Sequence, residues 1–389
     1  MNTTQRVGLL QRWSVIQEEL IPELGLEVEG LTPKLEKLIH TLEWARIEEF
    51  VPAWQGIGRP PKDRSALANG FVAKAVLGLT TTVALIERLT IDRALRRICG
   101  FSRWKKLPDE ATFSRAFAEF AESRLAERVH ESLIKAHLGQ ELIGHISRDG
   151  TAIEARERPA KPVPNPVEMP PAAAAQTVFP DTAPRPVAPV APLPAKRGRP
   201  RRGETRQPKL TRIEQQRSQT LAQMQGDLPR ACDRGTKCNA QGYKISWNGY
   251  KLHIDTADCG VPVAAILSSA SMHDSQAAIP LSHLSAARVT NLYDVMDAAY
   301  CSAELREHCK DLGHVPLIDH NPRGGEKLEF DPAEAVRYNE RTVAERMNAR
   351  LKDEFGGNNI WVKGNTKVMS HLMFGLLVLT VDQLMRLLQ

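Results

Sequence analysis

Through the first 140 positions apolar residues recur at steps of three and four, the period of helices that bury one face. The pattern predicts helices over Leu35–Phe50, Arg64–Leu79, Val83–Cys99 and Ala111–His137, punctuated by Pro60-Pro61, Gly78, Gly100 and Pro108. Asp109 stands where a cap would open the last of them, ahead of Ala111, Phe113 and Phe117. Past residue 140 the period changes. His145–Ala155 reads as a strand around Asp149. Tyr250–Thr256 alternates like one, and Val261–Ser268 follows it across the Asp258-Cys259-Gly260 turn. Then come a helix over Asp274–Ala287, a strand over Leu292–Ala298, a helix over Ser302–Leu312 and a short strand over Val315–Asp319. A helix through Tyr338 and a buried one over Lys367–Leu388 complete the order. The apolar run Met373–Val381 is too short to span a bilayer, and Asp382 follows it.

One stretch fits neither period. Residues 156–217 hold 14 of the 26 prolines and almost no aromatic residue, so they cannot bury a core and are expected to be disordered or extended. They carry 13 Lys/Arg against 5 Asp/Glu, a net charge of +8 where the whole chain has only +6. The basic character is therefore concentrated in one arm. Within it, Lys196-Arg197-Gly198-Arg199-Pro200-Arg201-Arg202 has an Arg-Gly-Arg-Pro core like that of an AT-hook, which inserts arginines into a narrow minor groove. A basic linker that touches phosphates without sequence preference reads the same way. In either case Arg197, Arg199, Arg201 and Arg202 contact DNA.

The expected organisation is a helical N-terminal domain over 1–140 and a first strand over 141–155. The basic insertion over 156–217 and the rest of an α/β domain over 218–389 follow. Within the first part, Ile91–Cys99 and Asp109–Phe120 flank a turn rich in Ser, Arg and Lys. That is the pattern of a helix-turn-helix, in which Thr112, Ser114 and Arg115 would face DNA, and equally of two helices packed in a bundle. A pI near 9.0 points to a polyanionic partner. Six scattered cysteines lack the spacing of a zinc site or a disulfide framework, which fits a reducing cytoplasm. The N-terminal stretch MNTTQRVGLLQRW has no signal-peptide run, so an intracellular, cytoplasmic protein is expected.

The candidate chemistry lies in Tyr338-x2-Arg341-x3-Glu345-x6-Lys352. At about 100° per residue these four fall on one narrow stripe of a continuous helix, with Val336, Val343, Met347 and Leu351 opposite. The stripe sets a carboxylate among cations, as a metal-dependent enzyme acting on a phosphate backbone requires. An ordinary surface helix with an Arg341–Glu345 pair, worth a few tenths of a kcal/mol, has the same sequence. A pair of metal ions needs further carboxylates from other elements. Asp149 on the first strand and Asp297 at the end of the fourth are the candidates. Asp149-Gly150 also suits a hairpin turn, and Asp297 a helix cap. Asp294 falls on the opposite strand face from Asp297. Asp255, Asp258 and Asp274 read as turn formers or caps.

The order Asp149, Asp297, Glu345, on strand one, strand four and a late helix, resembles the RNase H-like catalytic domain of DDE insertion-sequence transposases. These belong to the retroviral integrase superfamily. The Tyr338–Lys352 motif matches a Tyr-Arg-Glu-Lys signature of one large bacterial group. Asp297-Ala-Ala-Tyr300-Cys-Ser302 and Ser271-Met272-His273-Asp274-Ser275 resemble stretches of the same group, as does Arg59-Pro60-Pro61 through Arg115. One departure is clear. Glu345 follows Asp297 by only 48 positions, too few for the β-rich insertion that some relatives carry there.

The resemblance implies a mixed five-stranded sheet flanked by helices, and two Mg²⁺ ions (with Mn²⁺ as substitute) on Asp149, Asp297 and Glu345. It implies cleavage of element ends to 3′-hydroxyls that are then joined to target DNA. Arg341 and Lys352 would hold phosphates, and Tyr338 would bond a phosphate or stack on a base. The implied partners are double-stranded DNA (terminal inverted repeats and target) and a second copy of the chain as a homodimer. A nuclease on the same fold and a domesticated DNA-binding regulator are the rival classes. Trp247 and Trp361 are either stacking surfaces for an unpaired base or partly buried aromatics.

Overall fold

The computed structural model describes residues 31–52, 62–102, 104–159, 210–238, 242–322 and 326–388. The Lys196–Arg202 segment lies outside the described residues. The described residues up to 159 and from 212 onward belong to one compact unit.

Among the described residues, six α-helices open it: α1 (Pro33–Ala45), α2 (Arg64–Val76), α3 (Thr82–Ile91), α4 (Arg93–Ile98), α5 (Glu110–Glu122) and α6 (Leu125–Leu138). Three of the helices expected from periodicity are broken, each for a local reason. The one over Leu35–Phe50 ends at Ala45, where Arg46 turns left-handed (φ 44°) ahead of a 3-10 turn over Ile47–Phe50. Asp92 turns extended and caps α4 by accepting from the Leu95 N–H, which ends α3. Arg124 adopts the left-handed conformation (φ 53°), which separates α5 from α6. Asp109 does cap α5, accepting from the Thr112 N–H at 2.8 Å.

The sheet comprises β1 (Leu142–Glu154), β2 (Asp233–Cys238), β3 (Lys244–Ala257), β4 (Pro262–Ser269), β5 (Thr290–Met296) and β6 (Val315–Ile318). β1 lies between antiparallel β3 and parallel β5, and β6 extends the parallel side. β3 pairs on with β4 through residues 250–256 and with β2 through residues 244–249. The mixed sheet is the expected one plus a strand. β2 escaped notice because Asp-Arg-Gly-Thr-Lys-Cys is polar and mostly exposed, with no apolar alternation to mark it. Asp149 and Gly150 stand inside β1, paired with Ile254 and His253, so they are not a hairpin turn.

Helices α7 (Arg212–Gln216), α8 (Leu221–Asp227), α9 (Ser275–Ala286) and α10 (Ala303–Asp311) accompany the sheet. Gln216, expected in the disordered arm, is fully buried, and its side-chain amide donates to the Gln276 carbonyl. Glu157, also assigned to the arm, accepts from the Tyr250 hydroxyl at 2.9 Å and the Gly364 N–H at 2.7 Å. Both ends of the insertion are thus built into the compact unit.

The helix expected through Tyr338 and Lys352 is two helices, α11 (Pro332–Asn339) and α12 (Thr342–Glu354). Between them the N–H of Arg341 bonds the Tyr338 carbonyl and that of Ala344 the Arg341 carbonyl, i to i+3 bonds that tighten the turn. The single stripe is therefore bent at Arg341. Val336 is 68% exposed and takes no part in the buried face, which consists of Ala344, Met347, Asn348 and Leu351.

The last helix, α13 (Asn365–Arg386), is long and apolar enough to cross a membrane, yet 13 of its residues are buried inside the protein. It packs on α1, α2, α5, α6, α12 and β4. Phe374 meets Phe71 and Phe117 with ring centres 5.9 and 6.3 Å away. Helical part and sheet share one core through it.

Behind β1 the sheet is crosslinked by charge. Arg148, 2% exposed, donates through Nε and Nη2 to both oxygens of Asp255, each at 2.8 Å, and lies 3.9 Å from Asp294. The Ser285 hydroxyl donates to Asp255 at 2.6 Å, and His314 Nδ1 lies 2.9 Å from Asp294. Asp255 is thus a buried strand residue rather than a turn former, and β1, β3 and β5 are locked in register.

Candidate active site

The parallel ladder between β1 and β5 sets Ser147 opposite Val295 and Arg148 opposite Met296. Arg148–Met296 is the last pair of that ladder, and Asp149 and Asp297 follow it directly, Asp297 just past the end of β5. Alternation turns Asp149 away from Arg148, onto the other face of the sheet, and Asp297 is close enough for its charge to bear on Asp149. Asp149 is fixed from α12, where Asn348 Nδ2 donates to Oδ2 at 2.9 Å. Asp297 is fixed by the Ala299 N–H, which donates to Oδ1 at 2.9 Å at the start of a short 3-10 turn. It is both a cap and a member of the pair.

Burial chiefly, and then the charge of Asp297, pushes the Asp149 carboxyl up to about 6. Burial also raises Asp297, with the Ala299 N–H and then Arg341 opposing. Two carboxylates held this close and this dry resist ionising together.

A third acid stands nearby. Asp274, at the start of α9, caps nothing with its side chain. Its Oδ1 lies 2.9 Å from Lys251 Nζ and 3.7 Å from His253 Nδ1, both on β3. Its closeness explains Gly150: a Cβ there would lie 2.8 Å from Asp274 Oδ1. The charge of Asp274 raises Asp149, Asp297 and Tyr300 alike. Tyr300 is buried, and its hydroxyl has no hydrogen-bond partner among the described residues. Sequence reasoning missed Asp274, Lys251, His253, Tyr300 and Asn348 as site residues. Asn348 carried a usable signal, since it lies one helical turn from Glu345.

Glu345 is otherwise engaged. Its carboxylate accepts from Arg341 Nη2 at 2.7 Å, and its side chain is 53% exposed. The Arg341 guanidinium is a positive charge that bears on Glu345, Asp149 and Asp297 together. Tyr338 packs on Phe330 at 4.8 Å between ring centres and lies under Arg341 at 6.0 Å. Burial lowers the Lys352 amine, and Lys237 on β2 lowers it further.

Among the described residues no three Asp, Glu, His or Cys side chains converge closely enough to hold a metal ion. The donor chemistry nonetheless suits one: Asp149 and Asp297 offer hard oxygens whose mutual repulsion a divalent cation relieves. Thr112, Ser114 and Arg115 lie on α5, with Ser114 and Arg115 exposed and Arg115 donating to the Thr112 hydroxyl at 3.2 Å.

The family described as "Transposase DDE domain" matches residues 219–381, a span that contains Asp297 and Glu345 but not Asp149. "Transposase domain (DUF772)" matches residues 26–119, most of the helical part. No curated protein and no solved structure matches the chain.

Proposed function

The chain belongs to the DDE transposases, and on that premise we propose that Asp149, Asp297 and Glu345 form its catalytic site. It cuts the ends of a bacterial insertion sequence to free 3′-hydroxyls and joins these to target DNA. The adjacent, ionisation-resistant carboxylates of Asp149 and Asp297 carry this reading. Asp149, Asp297 and Glu345 would hold two Mg²⁺ ions, or Mn²⁺ in their place, whose charge neutralises the phosphate and favours an ionised attacking oxygen.

The chain's own residues do the rest. Asn348 sets the Asp149 carboxylate, and the Ala299 N–H sets that of Asp297. Arg341 holds Glu345 in place; once it lets go, its planar fork is free for a phosphate. Lys352 adds a point charge and Tyr338 a surface for a phosphate or base. The substrates are the terminal inverted repeats and target duplex, gripped by a homodimer whose Arg197, Arg199, Arg201 and Arg202 add contacts along the backbone. Thr112, Ser114 and Arg115 touch the element end. The protein works in the cytoplasm on the nucleoid.

The test uses a pre-cleaved element end, a target duplex and Mg²⁺. Wild-type protein should join the two, and Asp297→Asn should cut joining more than about a hundredfold, the scale of losing one electrostatic stabiliser. Wild-type levels of joining by Asp297→Asn would refute the site. Cutting of an intact end without joining of a supplied one would leave a nuclease.

A further inference from the structure

Outside the carboxylate site a cavity of about 570 Å³ opens between α2, α3 and α5 on one side and the chain from Phe355 to Phe374 on the other. Its floor is aromatic: Phe71, Phe117 and Phe374, already packed on one another, with Phe355 beside them. Its rim carries four cations, Lys74, Arg156, Lys363 and Lys367, against one acid, Glu110. Burial lowers the Lys74 amine to about 8, and among the described residues no carboxylate pairs with it. An amine left partly dry without a counter-ion calls for an anion from outside. Trp361, 50% exposed, stands at the mouth with the Arg156 guanidinium 5.3 Å from its ring centre. Half-buried His371 lies with Nε2 3.1 Å from the Gly356 carbonyl, which fixes the far wall.

We propose that this cavity takes an unpaired nucleotide of a DNA strand, its base against Trp361 and its phosphate among Lys74, Lys363 and Lys367. The volume is that of a small-molecule site. An apolar, aromatic floor under a ring of cations suits a flat base that carries a phosphate. A base still stacked in a duplex has no free face to offer Trp361. The path is short. β1 runs on from Asp149 to Glu154, about 17 Å at strand rise, and Arg156 follows two residues past its end. A DNA strand laid along β1 from the carboxylates therefore reaches the mouth about five to seven nucleotides on. The inference rests on the transposase reading only for the origin of that strand.

The experiment measures DNA binding in EDTA by fluorescence anisotropy, comparing a blunt duplex with the same duplex bearing an eight-nucleotide single-stranded tail. Wild-type protein should bind the tailed duplex about fivefold to a hundredfold more tightly, the range for one stacked base. Trp361→Ala should remove most of that gain and leave blunt-duplex affinity in place, while Trp361→Phe keeps most of it. The exposed pair Lys363→Ala and Lys367→Ala, which leaves the core intact, should reduce the gain as well. Asp149→Asn should retain it in full, so loss of the catalytic reading and loss of this one are told apart. Equal binding of blunt and tailed duplex by the wild type would overturn the proposal, as would equal loss of both in Trp361→Ala. Free deoxyadenosine monophosphate binding as tightly as the tail would overturn it too, by making the cavity a site for a soluble nucleotide.

Discussion

Asparagine in place of Asp149 should stabilise the metal-free protein, and only at the pH where aspartate would be charged. The carboxyl titrates near 6 in the folded chain against 3.8 for an ordinary aspartate, because burial and the neighbouring Asp297 both oppose its ionisation. Below pH 3.8 native and unfolded chains both hold the proton, and the group contributes nothing. Between 3.8 and 6 the unfolded chain releases it while the native chain keeps it, so stability falls as pH rises. Above about 6 the loss is complete. Each tenfold change in proton affinity is worth about 1.4 kcal/mol, which sets an upper bound of about 3 kcal/mol. The side chain is only partly shielded from water, so about 1–2 kcal/mol is the expected gain for Asp149→Asn at pH 8. Asparagine keeps an oxygen to accept the Asn348 bond, so that contact survives. Urea denaturation in EDTA from pH 4 to 8 measures the difference. Added Mg²⁺ should narrow it by stabilising the wild type alone. A gain that persists unchanged at pH 4, or no gain at pH 8, would refute the reasoning.

Arg148→Met should cost about 3–5 kcal/mol in urea denaturation, because it strands Asp255 and Asp294 as buried charges; a loss below about 1 kcal/mol would mean the crosslink is not what holds β1 in register. Replacing residues 161–209 with a short Gly-Ser linker removes nine Lys/Arg and three Asp/Glu. Filter binding should then show weaker DNA affinity with a shallower salt dependence, at an unchanged melting temperature. Deletion of the wider span 156–217 should instead destabilise the fold, since Glu157 and Gln216 go with it, and a folded, fully stable product would contradict their role.

How much of this was legible depended on whether the signal was local. The acids at strand ends and the Arg341–Glu345 spacing could be read from residue types and periods. That Asp149 and Asp297 adjoin could not, because it follows from a ladder between strands 148 positions apart. The Arg148–Asp255–Asp294 crosslink has the same character: each residue alone reads as a surface charge or a turn, and only pairing across three strands makes them core. The bend between α11 and α12 falls at Glu340-Arg341, neither of which breaks a helix by propensity, so periodicity ran straight through it. Amphipathic period found the apolar side of α12 correctly and misjudged Val336, one element earlier.

The choice of third carboxylate is the instructive remainder. Asp274 lies nearer the aspartate pair in effect, since its charge raises both, whereas Glu345 is drawn off by Arg341. Proximity is not the deciding property. Asp274 is pinned by Lys251, which also donates to the Met272 carbonyl. Its charge is already met, and moving it would leave Lys251 half-buried without an acid. Glu345 is more than half exposed and is held by a single flexible pair, of the kind that is worth little in water. On the catalytic site proposed above, the carboxylate that can be released at small cost, one helical turn from the Asn348 that already grips Asp149, is the one expected to join the pair.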